Sequence, residues 1–301
     1  MPPATGGELR AARIAPNDAV FIGGTLGGNI NFGCGSISEN GNGDALIVEL
    51  DTNGKCLQSQ NWGDNGAKAV ESLAVDPSGG VAVTGVFESQ IDFGGGTMTG
   101  PPQGSTSHNV FVARLDAVGQ YVAQRDLQSS SGNSGPGEIA VDALGNAFLA
   151  GSFDGATDLG GGNMLPAGQR DIFLVKDDPN LVYAWAKRYG DARDQFATTV
   201  AVDSLDRIVM GGGTAGNVSF GGGNIVGSTM GTSFFVATLD SSGGFVHQFA
   251  PNAVGDYPYA LVPTTQPFVV VGGQFQSPID FGAGPLTPIG PSDGMVARFV
   301  P

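Results

Sequence analysis

Positive charge is scarce in this 301-residue chain: Lys and Arg number 13 against 28 Asp and Glu, and all charged residues together make up 14%. A net charge of −15 repels nucleic-acid phosphates and anionic headgroups, which are bound through clustered Lys and Arg, so DNA, RNA and acidic membranes are not expected partners. Histidine occurs only as His108 and His247, far apart in the chain, and there is no HExxH, GxSxG or phosphate-binding glycine loop leading into a helix. The commonest hydrolase and nucleotide-binding signatures are thereby excluded. No apolar run exceeds about five residues, too short for a membrane helix or the core of a signal peptide. The two cysteines, Cys34 and Cys56, have neither CxxC spacing nor a nearby His, which argues against zinc; a disulfide and a pair of buried thiols both remain open. No segment sustains a 3.6-residue apolar period, so helices should be nearly absent.

Glycine, in contrast, is abundant, at 51 residues, while 41% of the chain is hydrophobic, too much for a flexible linker. Glycines must therefore punctuate short apolar segments. A fixed period organises them. INFGCG begins at Ile30 and returns as IDFGGG at Ile91, TDLGGG at Thr157, VSFGGG at Val218 and IDFGAG at Ile279, so the copies start 61, 66, 61 and 61 residues apart.

Around this element each unit carries four apolar stretches. The first reads SLAVDPSGG from Ser72, EIAVDALGN from Glu138 and TVAVDSLDR from Thr199. VAVTGVF from Val81 and AFLAGSF from Ala147 exemplify the second, a nearly continuous β-branched and small apolar run that suits a strand covered on both faces. A third stretch alternates, as in VFVARLD ending at Asp116, and an Asp-x-x-Gly turn leads to a fourth such as YVAQRDL. Four short antiparallel strands cannot bury two faces alone, but stacking such sheets into a ring can. The expected fold is thus all-β, a five-bladed β-propeller occupying 1–301 as a single domain, with repeats at 8–68, 69–135, 136–195, 196–256 and 257–301. The last repeat ends after its third strand, so the last blade is expected to be three-stranded, or to be completed by Met1–Gly7 or by a neighbouring chain through an open edge at Gly294–Val300.

The string DxFVARLDxxG followed by an apolar residue, AVDxxGN and a second apolar run resembles the SBBP-like β-propeller repeats of secreted or surface-anchored bacterial proteins, and the FGGG insert is similar to versions frequent in myxobacterial surface proteins. The resemblance implies an extracellular or cell-envelope location, with the chain as a domain excised from a secreted precursor, and implies no shared activity.

Function is expected from loops on a rigid scaffold. The connections WGDNGAK, RYGDARDQ and AVGDYPY place Asp64, Asp191, Asp194, Asp256 and Tyr257 on the face that carries the long FGGG loops, as an incomplete acidic ring for a glycan or a cation, or as plain turn formers. Asn40, Asn42 and Asp44 have the alternate spacing of a calcium loop without its downstream Glu. Aspartates repeated before x-x-Gly, such as Asp76, Asp142 and Asp203, and before FGGG, such as Asp92, Asp158 and Asp280, read as turn caps. Glu71 and Glu138 are the candidate channel carboxylates for a glycoside hydrolase. The leading expectation is a non-enzymatic binding or adhesion module, lectin-like with one shallow site per blade, against the alternatives of a structural spacer and a glycosidase. Expected partners are a glycan or another surface protein, no cofactor is expected, and Ca²⁺ is the one ion the spacing suggests.

Overall fold

The computed structural model describes residues 7–129, 134–227, 231–251, 257–263 and 268–299. The first repeat gives β1 (Glu8–Ile14), β2 (Val20–Leu26), the insert hairpin β3 (Asn29–Asn31) and β4 (Ser36–Ser38), then β5 (Asp44–Leu50) and β6 (Cys56–Trp62). The second gives β7 (Lys68–Val75), β8 (Val81–Phe87), β9 (Gln90–Ile91), β10 (Met98–Thr99), β11 (Asn109–Leu115) and β12 (Tyr121–Ser129). The third comprises β13 (Ser134–Val141), β14 (Ala147–Phe153), β15 (Thr157–Asp158), β16 (Asn163–Met164), β17 (Asp171–Asp177) and β18 (Tyr183–Tyr189). In the fourth are β19 (Gln195–Val202), β20 (Ile208–Thr214), β21 (Asn217–Ser219), β22 (Asn224–Val226), β23 (Ser233–Leu239) and β24 (Phe245–Phe249). The fifth has β25 (Tyr257–Pro263), β26 (Val269–Phe275), β27 (Ile279–Asp280), β28 (Pro285–Leu286) and β29 (Asp293–Phe299).

Each blade is an antiparallel meander, β1-β2-β5-β6 and its equivalents, and five such blades form a ring: the protein is a five-bladed β-propeller. No helix occurs among the described residues. The fifth blade has three strands, β25-β26-β29, among the described residues. Its proposed completion by Met1–Gly7 falls almost wholly on residues 1–6, outside the described residues. The innermost strands pack in succession, β1 on β7, β7 on β13, β13 on β19 and β19 on β25. Among the described residues, no comparable packing joins β25 to β1.

The local sequence explains this geometry. Asp51, Asp76, Asp116, Asp142, Asp178, Asp203 and Asp240 each accept the N–H groups two and four residues on, closing the tight turns between strands. Asn31, Asp92, Asp158 and Asp280 do the same for the insert glycines, and Ser219 bonds Gly221 alone. These repeated carboxylates are structural.

Every innermost strand carries a bulge in its pairing with the second strand, as between Val70 and Ser72 on β7. At that point the bulged strand's carbonyl is pressed against Gly85 of β8, so a methyl there would overlap the Ala69 oxygen and the Phe111 ring. Gly85→Ala should therefore cost about 1–3 kcal/mol and be visible as a lowered midpoint in urea unfolding. An unchanged midpoint would mean the bulge can yield.

The insert hairpins fasten one blade to the next. Phe93, next to β9, has its ring 4.9 Å from Trp62 at the end of the preceding blade and 5.0 Å from Phe111 of its own. Phe220 repeats the arrangement against Tyr189 at 4.7 Å and Phe235 at 5.1 Å. β15 also pairs with β12, extending a blade-two sheet with a blade-three strand. The FGGG element, expected as loop decoration on a functional face, thus serves mainly as the plug between blades.

Candidate functional site

The five innermost strands enclose a central cavity of about 1070 Å³, to which each of them contributes wall. The residue at each bulge lines it, joined by Arg13, Ser72 and Glu138 from beyond the bulges. Arg10 and Arg13 enter from β1, Glu71 and Ser72 from β7, Glu138 from β13, Thr198 from β19 and Tyr259 from β25.

The charges are matched. Arg10 Nη1 donates to Glu71 Oε1, while its Nη2 bonds Glu8 Oε2 at 2.8 Å. Arg13 Nη2 reaches from blade one to Glu138 Oε1 of blade three. The other oxygen of Glu138 accepts Thr199 Oγ1 at 2.5 Å and Val200 N at 3.3 Å. Ser72 Oγ accepts Ile139 N at 3.3 Å, and Thr199 Oγ1 accepts Leu261 N at 3.1 Å. One side chain of each middle blade therefore satisfies a backbone N–H of the next innermost strand, which fixes the spacing of the channel wall. Burial pushes the Glu71 carboxyl up, against the opposing pull of Arg10, and burial lowers the Arg13 guanidinium.

This set was only half legible. Glu71 and Glu138 stand out as rare glutamates in equivalent stretches, but they are one step apart: Glu71 is the bulge residue itself, whereas Glu138 pairs with Ala150 beyond the bulge. Arg10 and Arg13 were missed. Their signal was present, since the other innermost strands carry Glu71, Gly137, Thr198 and Tyr259 where β1 has Arg10, and Ala74, Ala140, Ala201 and Val262 where it has Arg13.

The acidic loop residues have other duties. Asp64 accepts Gly66 N at 2.9 Å, Ser89 Oγ at 2.7 Å and the ammonium of the fully buried Lys68. Burial alone would raise its carboxyl, but these bonds outweigh it and hold it below the ordinary range. Asp191 accepts Arg193 N at 2.9 Å, Gln195 Nε2 at 2.8 Å and Asn217 N at 2.7 Å. Asp194 forms a two-pronged pair with Arg170, at 2.8 Å for both contacts. None of the three lines the central cavity. Asp256 lies outside the described residues, and of Tyr257 only the strand backbone is described.

The calcium-like triplet is likewise engaged. Asp44 is fully buried and accepts Asn40 N at 3.2 Å, Asn40 Nδ2 at 3.1 Å and Asn61 Nδ2 at 2.6 Å; Asn40 faces it with donors, and Asn42 sits half-buried in the bend before β5. No group of three or more His, Cys, Asp or Glu side chains able to hold a metal occurs among the described residues. Cys34 and Cys56 form a disulfide. Burial pushes the His108 imidazole down, and the His247 ring lies 5.6 Å from that of Phe299.

No family model matches the chain, and no curated protein does. Among solved structures it is similar to an ACO/RPE65 chimera at 12% identity and TM-score 0.45, over 99% of this chain and 64% of that one. Cobalt-substituted Synechocystis apocarotenoid oxygenase gives 10% identity and TM-score 0.41, over 92% and 60%. A protein of unknown function from Bacteroides caccae gives 10% and 0.39, over 83% and 81%. The chain spans 64% and 60% of the length of these two structures.

Proposed function

We propose that this chain is a non-enzymatic binding module of the bacterial cell surface or extracellular space, holding an uncharged, hydroxyl-rich ligand such as the end of a glycan in its central channel. The observation that carries the reading is the wall of that channel: two arginines and two glutamates, paired so that their charges cancel, beside the hydroxyls of Ser72, Thr198 and Tyr259. Such a wall offers both donors and acceptors with its charges paired, which suits sugar hydroxyls better than an ion. The Cys34–Cys56 disulfide supports an oxidising compartment, as does the resemblance to surface-protein repeats. The one-site-per-blade version has less support, because the repeated insert carboxylates already bond their own loop amides.

Screening the protein on a glycan array, then titrating the best ligand calorimetrically, tests this. Arg10→Ala should weaken that ligand about tenfold or more while the fold, followed by circular dichroism, persists. Absence of any array ligand would favour the structural spacer. A glycoside hydrolase is the second reading, favoured by the raised carboxyl of Glu71 sharing a cavity with Glu138. If the ligand is cleaved, and Glu71→Gln stops cleavage without stopping binding, that reading replaces the first.

A further inference from the structure

We infer that Tyr259 decides which ligand the central channel takes: its ring lies against the apolar face of a pyranose whose hydroxyls turn toward Glu71 and Glu138. The inference rests on the channel reading above and narrows it, from a hydroxyl-rich ligand to a cyclic one with a flat C–H face. Tyr259 is the residue at the bulge of β25, the step that Arg10, Glu71, Gly137 and Thr198 occupy in the other blades. It is 59% exposed, and it is the one aromatic side chain among the described residues of the cavity wall. Two other aromatic rings are left open, Tyr121 and Phe245 at 39% each, and both already serve as the floor under an insert glycine, Gly95 or Gly222. Tyr259 has no such structural duty. A ring left open inside a cavity forgoes the burial that usually draws aromatic residues into a core, and a ligand can supply that burial.

The backbone that carries the ring is anchored. Thr198 Oγ1 of blade four donates to the carbonyl of Pro258, the residue before Tyr259, at 2.6 Å, and Pro258 is buried over Gly211 of β20. The ring is thus held in place yet open to the cavity, the condition for a preformed contact. Blade order sets blade five across the ring from blades two and three, which contribute Glu71, Ser72 and Glu138 to the wall. A ligand between them meets an apolar plate on one side and carboxylates on the other, and a carboxylate oxygen that already takes a guanidinium N–H can accept a further hydroxyl. A pyranose offers that pair of surfaces, C–H groups on its face and hydroxyls around its edge. An open-chain polyol has the hydroxyls but no rigid face, and loses rotor freedom in presenting one.

The test titrates the methyl β-glycosides of glucose and galactose, and sorbitol, into the full chain by calorimetry, with Tyr259→Phe, Tyr259→Leu and Arg10→Ala alongside. Wild type is expected to prefer the better glycoside over sorbitol about tenfold. Tyr259→Phe keeps the ring and should keep the preference, with glycoside affinity changed about threefold or less. Tyr259→Leu should weaken the glycoside about tenfold and bring it level with sorbitol. Because Tyr259 is exposed, both variants should fold, which circular dichroism checks. Equal wild-type affinity for glycoside and sorbitol overturns the inference and leaves the channel reading standing, as does glycoside binding that Arg10→Ala weakens and Tyr259→Leu does not. Glycoside binding indifferent to both of those changes, or none up to about 10 mM, removes the channel reading and this inference together.

Discussion

Asp76→Ala should destabilise the propeller by about 3–5 kcal/mol, the cost of stranding a buried charge, and lower the melting temperature by roughly 10 °C. Asp76 and Arg114 are 6% and 5% exposed, with Arg114 Nη2 at 2.6 Å from Asp76 Oδ2. The same guanidinium donates to the Gly145 carbonyl in the next blade, so the pair links the turn of blade two to that of blade three. Removing the carboxylate leaves the guanidinium buried with half its partners, and the Ser78 and Gly80 amides lose their cap. Asp76→Asn keeps much of the cap and isolates the charge. Burial acts to raise the Asp76 carboxyl, but Ser78 and Arg114 outweigh it, and the group sits below its ordinary value of 3.8. A carboxylate lowered in the folded state contributes stability that is complete above the unfolded value and is lost as pH falls through the folded one. Calorimetric melts should accordingly show wild type well above Asp76→Asn at neutral pH and the gap closing below about pH 4. A gap independent of pH would mean the ion pair is not the cause.

Replacing both cysteines by alanine should cost about 3 kcal/mol on the loop-entropy scale and lower the melting temperature by roughly 5–10 °C. In blades two, three and four the middle glycine of the insert lies over an aromatic ring that opens the fourth strand: Gly95 over Tyr121, Gly161 over Tyr183, Gly222 over Phe245. In blade one Cys34 takes the glycine's place and Cys56 the ring's, and a covalent bond replaces the stacking. The bond holds the insert down over Leu26, Leu46 and Val48, with Phe32 and Ile37 packed against them. Wild-type protein melted with a reductant should reproduce the double variant. If neither treatment moves the transition, the apolar cover alone secures the insert.

The strand register and the blade count were readable because the repeat imposes them: the alternation in VFVARLD and the fixed place of INFGCG and its copies leave little freedom. The cysteine pair was legible in principle by the same alignment, since both departures from the repeat fall at positions that touch in blades two, three and four. The packing role of the inserts was not legible, because a glycine-rich loop does not show which residues it will touch until Phe93 and Phe220 are seen wedged between blades. Channel chemistry was hardest to foresee. Glu71 enters the channel at its bulge and Glu138 one step beyond its own, and the partners Arg10 and Arg13 lie on β1, brought to them by the stacking of blades one to three and by no local motif.

The claim that recognition belongs to the channel and not to the inserts is tested most directly by titrating the best array ligand into wild type, Arg10→Ala and Tyr183→Ala side by side. An affinity that falls about tenfold in Arg10→Ala and holds in Tyr183→Ala is the predicted result. The reverse pattern, with affinity kept in Arg10→Ala and lost with the ring beneath the insert, would contradict it and move the site to the blade loops.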